Sequence, residues 1–175
     1  MEHAVPPDRT PLLGDVVYQS VPWRAAVRRA IFEGRLPLWN PHTLAGEPLT
    51  ALAQPAVLHP GTLLGLLLPL PQALTFDMSL RLLIALLAGI LFARDLGCGE
   101  RASLVAALGW AFSNWMVFYL GLQPMSAAAP LPLLLLGLRR IAREPGVRGA
   151  AIAVAAVLLI AAAGHPETLL HTSAG

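Results

Sequence analysis

Two arginines on a short predicted helix have the residue type and spacing best suited to binding a substrate. The helix is predicted over residues 21–33, with Ser20 as its N-terminal cap and Gly34 just beyond its end. Arg24 and Arg28 lie one turn apart on this helix, and the geometry of a guanidinium group suits phosphate. They can therefore hold the phosphate of a lipid-linked substrate. The alternative is an amphipathic helix in the membrane interface whose arginines are solvated.

A proline-rich loop follows this helix. Pro37 and Pro41 fix an extended backbone around Trp39 and Asn40, and more X-Pro pairs continue along the loop. Rigid irregular loops commonly form sites, but the composition of this loop indicates no particular chemistry. We expect residues 36–60 to form an ordered loop against the ends of the predicted spans, with Trp39 partly buried.

The composition indicates a membrane protein. Hydrophobic residues make up 56% of the chain and charged residues 13%, whereas charged residues form about 25% of a typical soluble domain. The net charge of +2 is too small to indicate nucleic-acid binding. Cys98 is the single cysteine, which excludes an intramolecular disulfide framework.

Uncharged runs predict an all-α, polytopic transmembrane helix bundle with about four spans, because about 20 apolar residues cross the hydrocarbon core. A ten-residue apolar run, residues 61–70, predicts a re-entrant helix. Asp77 and Arg81 lie four residues apart at the start of the first span and can pair on one helix face. The predicted spans are residues 74–93, 102–122, 125–138 and 148–164.

Arginine placement predicts how the bundle is oriented. Arg94 and Arg101 follow the first predicted span, and another arginine cluster, within residues 139–148, follows the third. The positive-inside rule places both turns in the cytoplasm. By parity, a loop module of residues 1–73 and a tail of residues 165–175 face the exterior, on either side of the spans in residues 74–164. If the re-entrant helix crossed the membrane fully, the module would instead be cytoplasmic.

Many residues of the polar module stand in a recognisable order. With Arg94–Gly97 and the Gly164-His165-Pro166 triplet, this order resembles the start of the YfhO-type bacterial membrane proteins, which belong to the C-type glycosyltransferase superfamily. The residues that carry the resemblance are Gly14, Asp15, Tyr18, Pro22, Gly34, Pro37, Leu38, Trp39, Asn40, Pro41, Gly46, Pro48, Gln54 and Pro60.

The sequence departs from the family pattern in three places. The family's first transmembrane helix is missing ahead of Asp15, and its many downstream spans are missing after the last run. Glu47 stands where a small or apolar residue is expected. We therefore expect the chain to be the N-terminal fragment of a longer protein.

The resemblance implies a glycosyltransferase that takes a sugar from a polyprenyl-phosphate donor at the exterior face of the bacterial cytoplasmic membrane. Asp15 matches an acidic residue at the reaction centre, where a carboxylate accepts the proton of the incoming hydroxyl or orients a divalent cation. Glu47 is a second candidate carboxylate. Tyr18, Trp39, Asn40 and Gln54 are candidate substrate contacts, and His165 can line the same site from a predicted span end. We predict no metal cage.

Each of these interpretations has an alternative. Asp15 can be a turn or helix-cap residue after Gly14, and Glu47 a solvated loop acid. The whole protein can be a non-catalytic membrane protein, such as a transporter-like or assembly subunit, in which the loop only packs. It can also be an inactive truncation product.

Overall fold

The computed structural model describes residues 14–43, 45–165 and 167, and every regular element in that part of the chain is a helix. The predicted all-α fold is therefore confirmed. A π-helical turn, Val16–Ser20, leads directly into the first α-helix. The α-helices are α1 (Val21–Phe32), α2 (Pro60–Gly65), α3 (Leu70–Asp95), α4 (Glu100–Ala111), α5 (Asn114–Phe118), α6 (Gln123–Ala128), α7 (Leu131–Arg143) and α8 (Val147–Ala162).

Two helical stretches are long and apolar enough to cross a membrane, judged by length and composition. One is α3, with 26 residues and a mean hydropathy of 2.0. The other, Gln123–Arg143, contains α6 and α7 and has a mean hydropathy of 1.3. Helix α8 is apolar but has only 16 residues. Of the four predicted spans, two reach membrane-spanning length in the described residues.

Residues 102–122, which were predicted as one span, do not form a single continuous helix. Helix α4 ends at Ala111, and α5 starts only at Asn114. Between them Ser113 has an extended backbone, and its hydroxyl accepts a hydrogen bond from the Met116 N–H at 3.4 Å. Serine favours such caps because its side chain competes with the helical backbone for hydrogen bonds. The capped break replaces the middle of the predicted span.

The other helices differ from prediction mainly at their ends. The span predicted from residue 74 starts at Leu70, because Pro71 is tolerated in a first turn. The span predicted over residues 125–138 extends to Arg143 and is interrupted before Leu131, where α7 has proline in its first turn. The predicted re-entrant helix, residues 61–70, is the shorter Pro60–Gly65.

Helix α1 matches the prediction in extent but not in its cap. It ends one residue before Glu33, and Gly34 follows in the left-handed conformation, with φ of +70°. The predicted Ser20 cap is wrong because the π-helical turn already gives Ser20 helical backbone angles. The Ser20 hydroxyl is instead buried and has no hydrogen-bond partner in the described part of the chain.

Small residues let the helices of two hairpins approach closely. In the α3–α4 hairpin, a Cβ on Gly89 would lie 3.0 Å from the Cα of Ala107. In the α7–α8 hairpin, a Cβ on Gly137 would lie 2.5 Å from the backbone nitrogen of Ala153. Such contacts bring helix backbones together and are typical of helix pairs in membranes.

The polar module lies against one end of this bundle. Gln123, at the start of α6, donates a hydrogen bond from Nε2 to the carbonyl of Gln54 at 2.7 Å. Gly164, after α8, passes so near the loop that a Cβ would lie 2.1 Å from the carbonyl oxygen of Ala53. Ala53 and Gln54 of the proline-rich loop therefore pack against helix ends, as expected.

The two ends of the bundle give a test of orientation. Gln19 in the module and Ala142 near the end of α7 are both exposed, so cysteines introduced there are accessible to reagents. In a Cys98→Ala background, we expect an impermeant thiol reagent to label position 19 from the exterior and position 142 only after the membrane is opened. Labelling of both positions from the same side would contradict this orientation.

Candidate functional site

A buried group of four side chains joins the polar module to the bundle. This charge cluster consists of Arg24 on α1, His59 before α2, and Asp77 and Arg81 on α3. Oδ2 of Asp77 accepts hydrogen bonds from Arg24 Nη2 at 2.7 Å and from Arg81 Nη2 at 2.5 Å. The Asp77 and Arg81 side chains are each only 3% exposed, so the pair predicted from their spacing is both confirmed and buried.

The cluster also fixes the turn between α5 and α6. Nη1 of Arg81 donates hydrogen bonds to the carbonyls of Leu120 at 3.2 Å and Leu122 at 2.6 Å. These two carbonyls lie in the segment that connects the helices and would otherwise need other partners. Arg81 therefore links α3 directly to the α5–α6 turn. Through Asp77 it is also connected to α1.

His59 lies beside the Asp77 carboxylate. Its Nδ1 accepts a hydrogen bond from the Gly61 N–H at 3.2 Å and caps α2. The same nitrogen lies 3.4 Å from Oδ1 of Asp77. Oδ1 has no hydrogen bond among the described residues. Gly61 itself lies over the carboxylate, where a Cβ would be 1.7 Å from Oδ1.

Arg28, the second predicted phosphate ligand, also holds the module in place. Its Nη1 donates to the carbonyl of Leu68 and, at 3.4 Å, to that of Gly65. Its guanidinium carbon lies 4.8 Å from the centre of the Phe32 ring. Arg24 and Arg28 thus share one helix face, as predicted, but that face is turned toward α2 and α3.

Glu47 organises the proline-rich loop. Its Oε1 accepts hydrogen bonds from Trp23 Nε1 at 3.1 Å, Asn40 Nδ2 at 2.9 Å and Thr43 Oγ1 at 3.0 Å. The backbones of Asn40 and Glu47 also exchange two hydrogen bonds, of 2.8 and 2.9 Å. The hydrogen bond from Asn40 lowers the pKa of Glu47 below its ordinary value; those from Thr43 and Trp23 add to this, while burial opposes it.

The other loop candidates differ in exposure. Asn40 is 3% exposed, whereas Trp39 is 54% exposed and packs one edge of its indole against Gly46. The Gln54 side chain is exposed, and its backbone carbonyl binds Gln123. His165 is half-buried beyond the end of α8. The loop is therefore anchored by Asn40, while Trp39 presents an aromatic surface.

An open cavity of about 370 Å³ lies between α1 and the loop. It is lined by Arg29, Asn40, His42 and Thr43, together with small residues of α1. Nη1 of Arg29 is 3.2 Å from Nε2 of His42. The sequence prediction missed Arg29 and His42 because the loop fold that brings His42 to α1 has no signal in residue spacing.

Asp15 and Tyr18 lie together at the start of the module. Asp15 is exposed, and its carboxylate makes no hydrogen bond or ion pair with any described residue. Tyr18 is 81% exposed. Val16, which follows Asp15 in the sequence, is buried near the α5–α6 turn. A Cβ on Gly121 would lie 2.6 Å from Cγ2 of Val16. Asp15 does not cap a helix with its side chain.

Metal binding gains no support within residues 14–43, 45–165 and 167. These residues contain no group of three or more histidine, cysteine, aspartate or glutamate side chains placed to hold an ion. A comparison of the chain with protein-family models, curated proteins and solved structures found no match.

The charge cluster gives a stability prediction. Asp77→Asn removes the only carboxylate of the cluster and leaves two buried guanidinium groups without a counterion. We expect a loss of about 3–5 kcal/mol in the free energy of unfolding, measured on detergent-solubilised protein. Glu33→Gln is the control, because it removes an exposed carboxylate that also faces two arginines, Arg29 and Arg35. Equal stability of the two variants would contradict the prediction.

The Glu47 contacts give a pH prediction. A carboxylate with a lowered folded-state pKa stabilises the loop above its unfolded pKa of about 4.3 and loses that contribution as the pH falls through the folded value. We expect the indole N–H resonance of Trp23, assigned with Trp23→Phe, to shift as the pH falls below about 4. Glu47→Gln should abolish the pH dependence of this resonance. An unchanged resonance down to about pH 2 would contradict the assigned role.

Proposed function

We propose that this chain takes part in sugar transfer from a polyprenyl-phosphate donor, at the membrane face covered by the polar module. Asp15 accepts the proton of the acceptor hydroxyl. The proposal follows the resemblance to YfhO-type proteins, and one structural observation supports it. Among the acidic residues in the described part of the module, residues 14–43 and 45–69, Asp15 alone has no hydrogen bond or ion pair.

A free carboxylate is what a general base requires, because its lone pairs must be open to the substrate. Glu33 is paired with Arg29 and Arg35. Glu47 uses Oε1 for three hydrogen bonds inside the loop. Asp15, by contrast, is exposed and is positioned beside the helix ends by its buried neighbour Val16.

The reaction needs a proton acceptor and a group that binds the leaving phosphate. The acceptor oxygen forms a bond with the anomeric carbon as the bond between that carbon and the phosphate oxygen breaks. The acceptor proton moves to the Asp15 carboxylate, and polyprenyl phosphate leaves. A guanidinium near the leaving group stabilises the charge that develops there.

Of the α1 arginines, Arg29 is the one that lines the open cavity between α1 and the loop, and it also pairs with Glu33. Its cavity of about 370 Å³ falls within the range of small-ligand sites and also offers His42 and Thr43 as polar contacts. Arg24 and Arg28 are less suited, because Asp77 and the carbonyls at the end of α2 already engage them.

The proposal includes a membrane arrangement. We place the chain in the bacterial cytoplasmic membrane as a multi-pass protein, with the polar module exterior and the arginine-rich turns cytoplasmic. The broken α4–α5 segment and the short α8 complete four crossings in this arrangement. The lipid tail of the donor would then lie beside the helices while its phosphate reaches the module.

A non-catalytic membrane role is the second candidate, and one observation favours it. Arg24 and Arg28, the residues predicted to bind substrate, both hold the module to the bundle. A module fixed in this way can serve as a packing element of a transporter-like or assembly subunit. An inactive truncation has the same structure and differs only in activity.

Asp15→Asn separates these candidates in the intact gene product. The amide keeps the shape of the side chain but accepts no proton, so sugar transfer should fall by at least about 100-fold with unchanged membrane insertion. Glu100→Gln is the control, because it removes an exposed carboxylate at the opposite end of the bundle, and we expect it to keep the wild-type rate of sugar transfer. Wild-type product formation by Asp15→Asn would overturn the catalytic role and favour the non-catalytic candidate.

A further inference from the structure

The bundle end opposite the polar module carries an excess of positive charge. Between residues 94 and 148 there are six arginines and three carboxylates, which leaves a net charge of +3. The described charged residues at the module end comprise five arginines and five carboxylates, so their charges cancel. The six arginines are Arg94, Arg101, Arg139, Arg140, Arg143 and Arg148, and the three carboxylates are Asp95, Glu100 and Glu144.

Much of this charge surrounds an open cavity of about 690 Å³. The cavity lies where α3 and α7 end and α8 begins. Its charged lining consists of Asp95, Arg140, Arg143, Glu144 and Arg148. These five side chains sum to +1, and Arg139 adds a further positive charge beside them.

Asp95 orients two of the arginines without using up their hydrogen-bonding capacity. Its Oδ2 accepts from Arg139 Nε at 3.2 Å, and its Oδ1 accepts from Arg140 Nε at 2.9 Å. A guanidinium has five N–H donors, so the terminal amino groups of both arginines stay available. Arg143 and Arg148 are exposed and form no ion pair with the described residues. The cavity lining thus combines Arg140, which is paired with Asp95, with the unpaired Arg143 and Arg148. Arg139, also paired with Asp95, lies beside the cavity.

An apolar surface adjoins the cavity. Val147, in the cavity wall, is 85% exposed, and Leu138 on α7 is 51% exposed. Along α8 the exposed apolar surface continues through Val154, at 57%. The anionic head of a lipid could therefore contact the guanidinium donors of the cavity while its apolar chains contact the exposed apolar side chains of α7 and α8.

We propose that this arginine-lined cavity binds the phosphate headgroup of an anionic phospholipid. The local excess of one to two charges matches a singly charged phosphodiester, and Glu144 disfavours anions of higher charge. Basic pockets between helices at the cytoplasmic face are suited to such headgroups. The inference rests on membrane insertion of the chain and does not depend on sugar transfer.

Cys98 offers a probe at the same end of the bundle. It is the single cysteine of the chain, it is exposed, and it lies in the turn between α3 and α4. With a fluorophore on Cys98 and the protein in phosphatidylcholine nanodiscs, quencher-labelled phosphatidylglycerol can be titrated against quencher-labelled phosphatidylcholine. We expect quenching by phosphatidylglycerol to saturate, and to do so at a lower fraction of labelled lipid than quenching by phosphatidylcholine.

The variants separate a defined site from general charge attraction. Arg143→Gln with Arg148→Gln should weaken apparent phosphatidylglycerol binding by roughly tenfold or more, since each arginine contributes to attraction at the membrane surface. Arg94→Gln with Arg101→Gln is the control, because it removes the same charge at the same end but outside the cavity. We expect that control to bind phosphatidylglycerol nearly as the wild type does.

Three results would overturn the proposal. These are equal quenching by the two lipids, equal weakening in both double variants, or full competition by millimolar inorganic phosphate, which would indicate a general anion site. A protein that fails to integrate into membranes would instead overturn the membrane arrangement. Asp15→Asn should bind phosphatidylglycerol as the wild type does, so loss of sugar transfer and loss of lipid binding are distinguishable.

Discussion

Burial of the Asp77 carboxylate between Arg24 and Arg81 is the interaction on which the rest of the structure depends. A carboxylate on an apolar helix is costly to bury unless it is paired and hydrogen-bonded. Arg81 alone can neutralise it, but Arg24 from another element completes the pairing, so α1 must remain docked on α3. The second guanidinium leaves an excess positive charge, which the carbonyls of Leu120 and Leu122 partly offset.

This constraint divides the arginines of α1 between two tasks. Arg24 and Arg28 lie one turn apart and face α2 and α3. Arg29, the residue after Arg28, lies on the neighbouring face of the helix and borders the loop cavity. Docking thus determines which arginine of α1 lines the loop cavity. The same docking places the loop against the start of α6 and the end of α8, where Gln123 and Gly164 contact it.

Periodicity in the sequence predicts α1, the apolar α3 and the Asp77–Arg81 pair, because all three depend on neighbours within a few positions. It misses the Arg24–Asp77 contact, whose partners are 53 residues apart, and the meeting of His42 with Arg29, which depends on the loop path. It also misses the Ser113 break, since uncharged residues alone do not distinguish a continuous helix from two capped ones. Local sequence patterns specify the helices. Contacts between residues far apart in the sequence determine which side chains are left without a protein partner.

The close approach of Gly89 to Ala107, and of Gly137 to Ala153, has a consequence for how this sequence can vary. At Gly89 and Gly137 the facing helix already occupies the space of a Cβ, so a methyl group there forces the helices of a hairpin to shift apart. Outward positions such as Val105 and Leu158 face no such limit and can exchange among apolar residues. Divergent relatives of this chain should therefore keep small side chains in two narrow stripes, while the rest of the helical surface drifts.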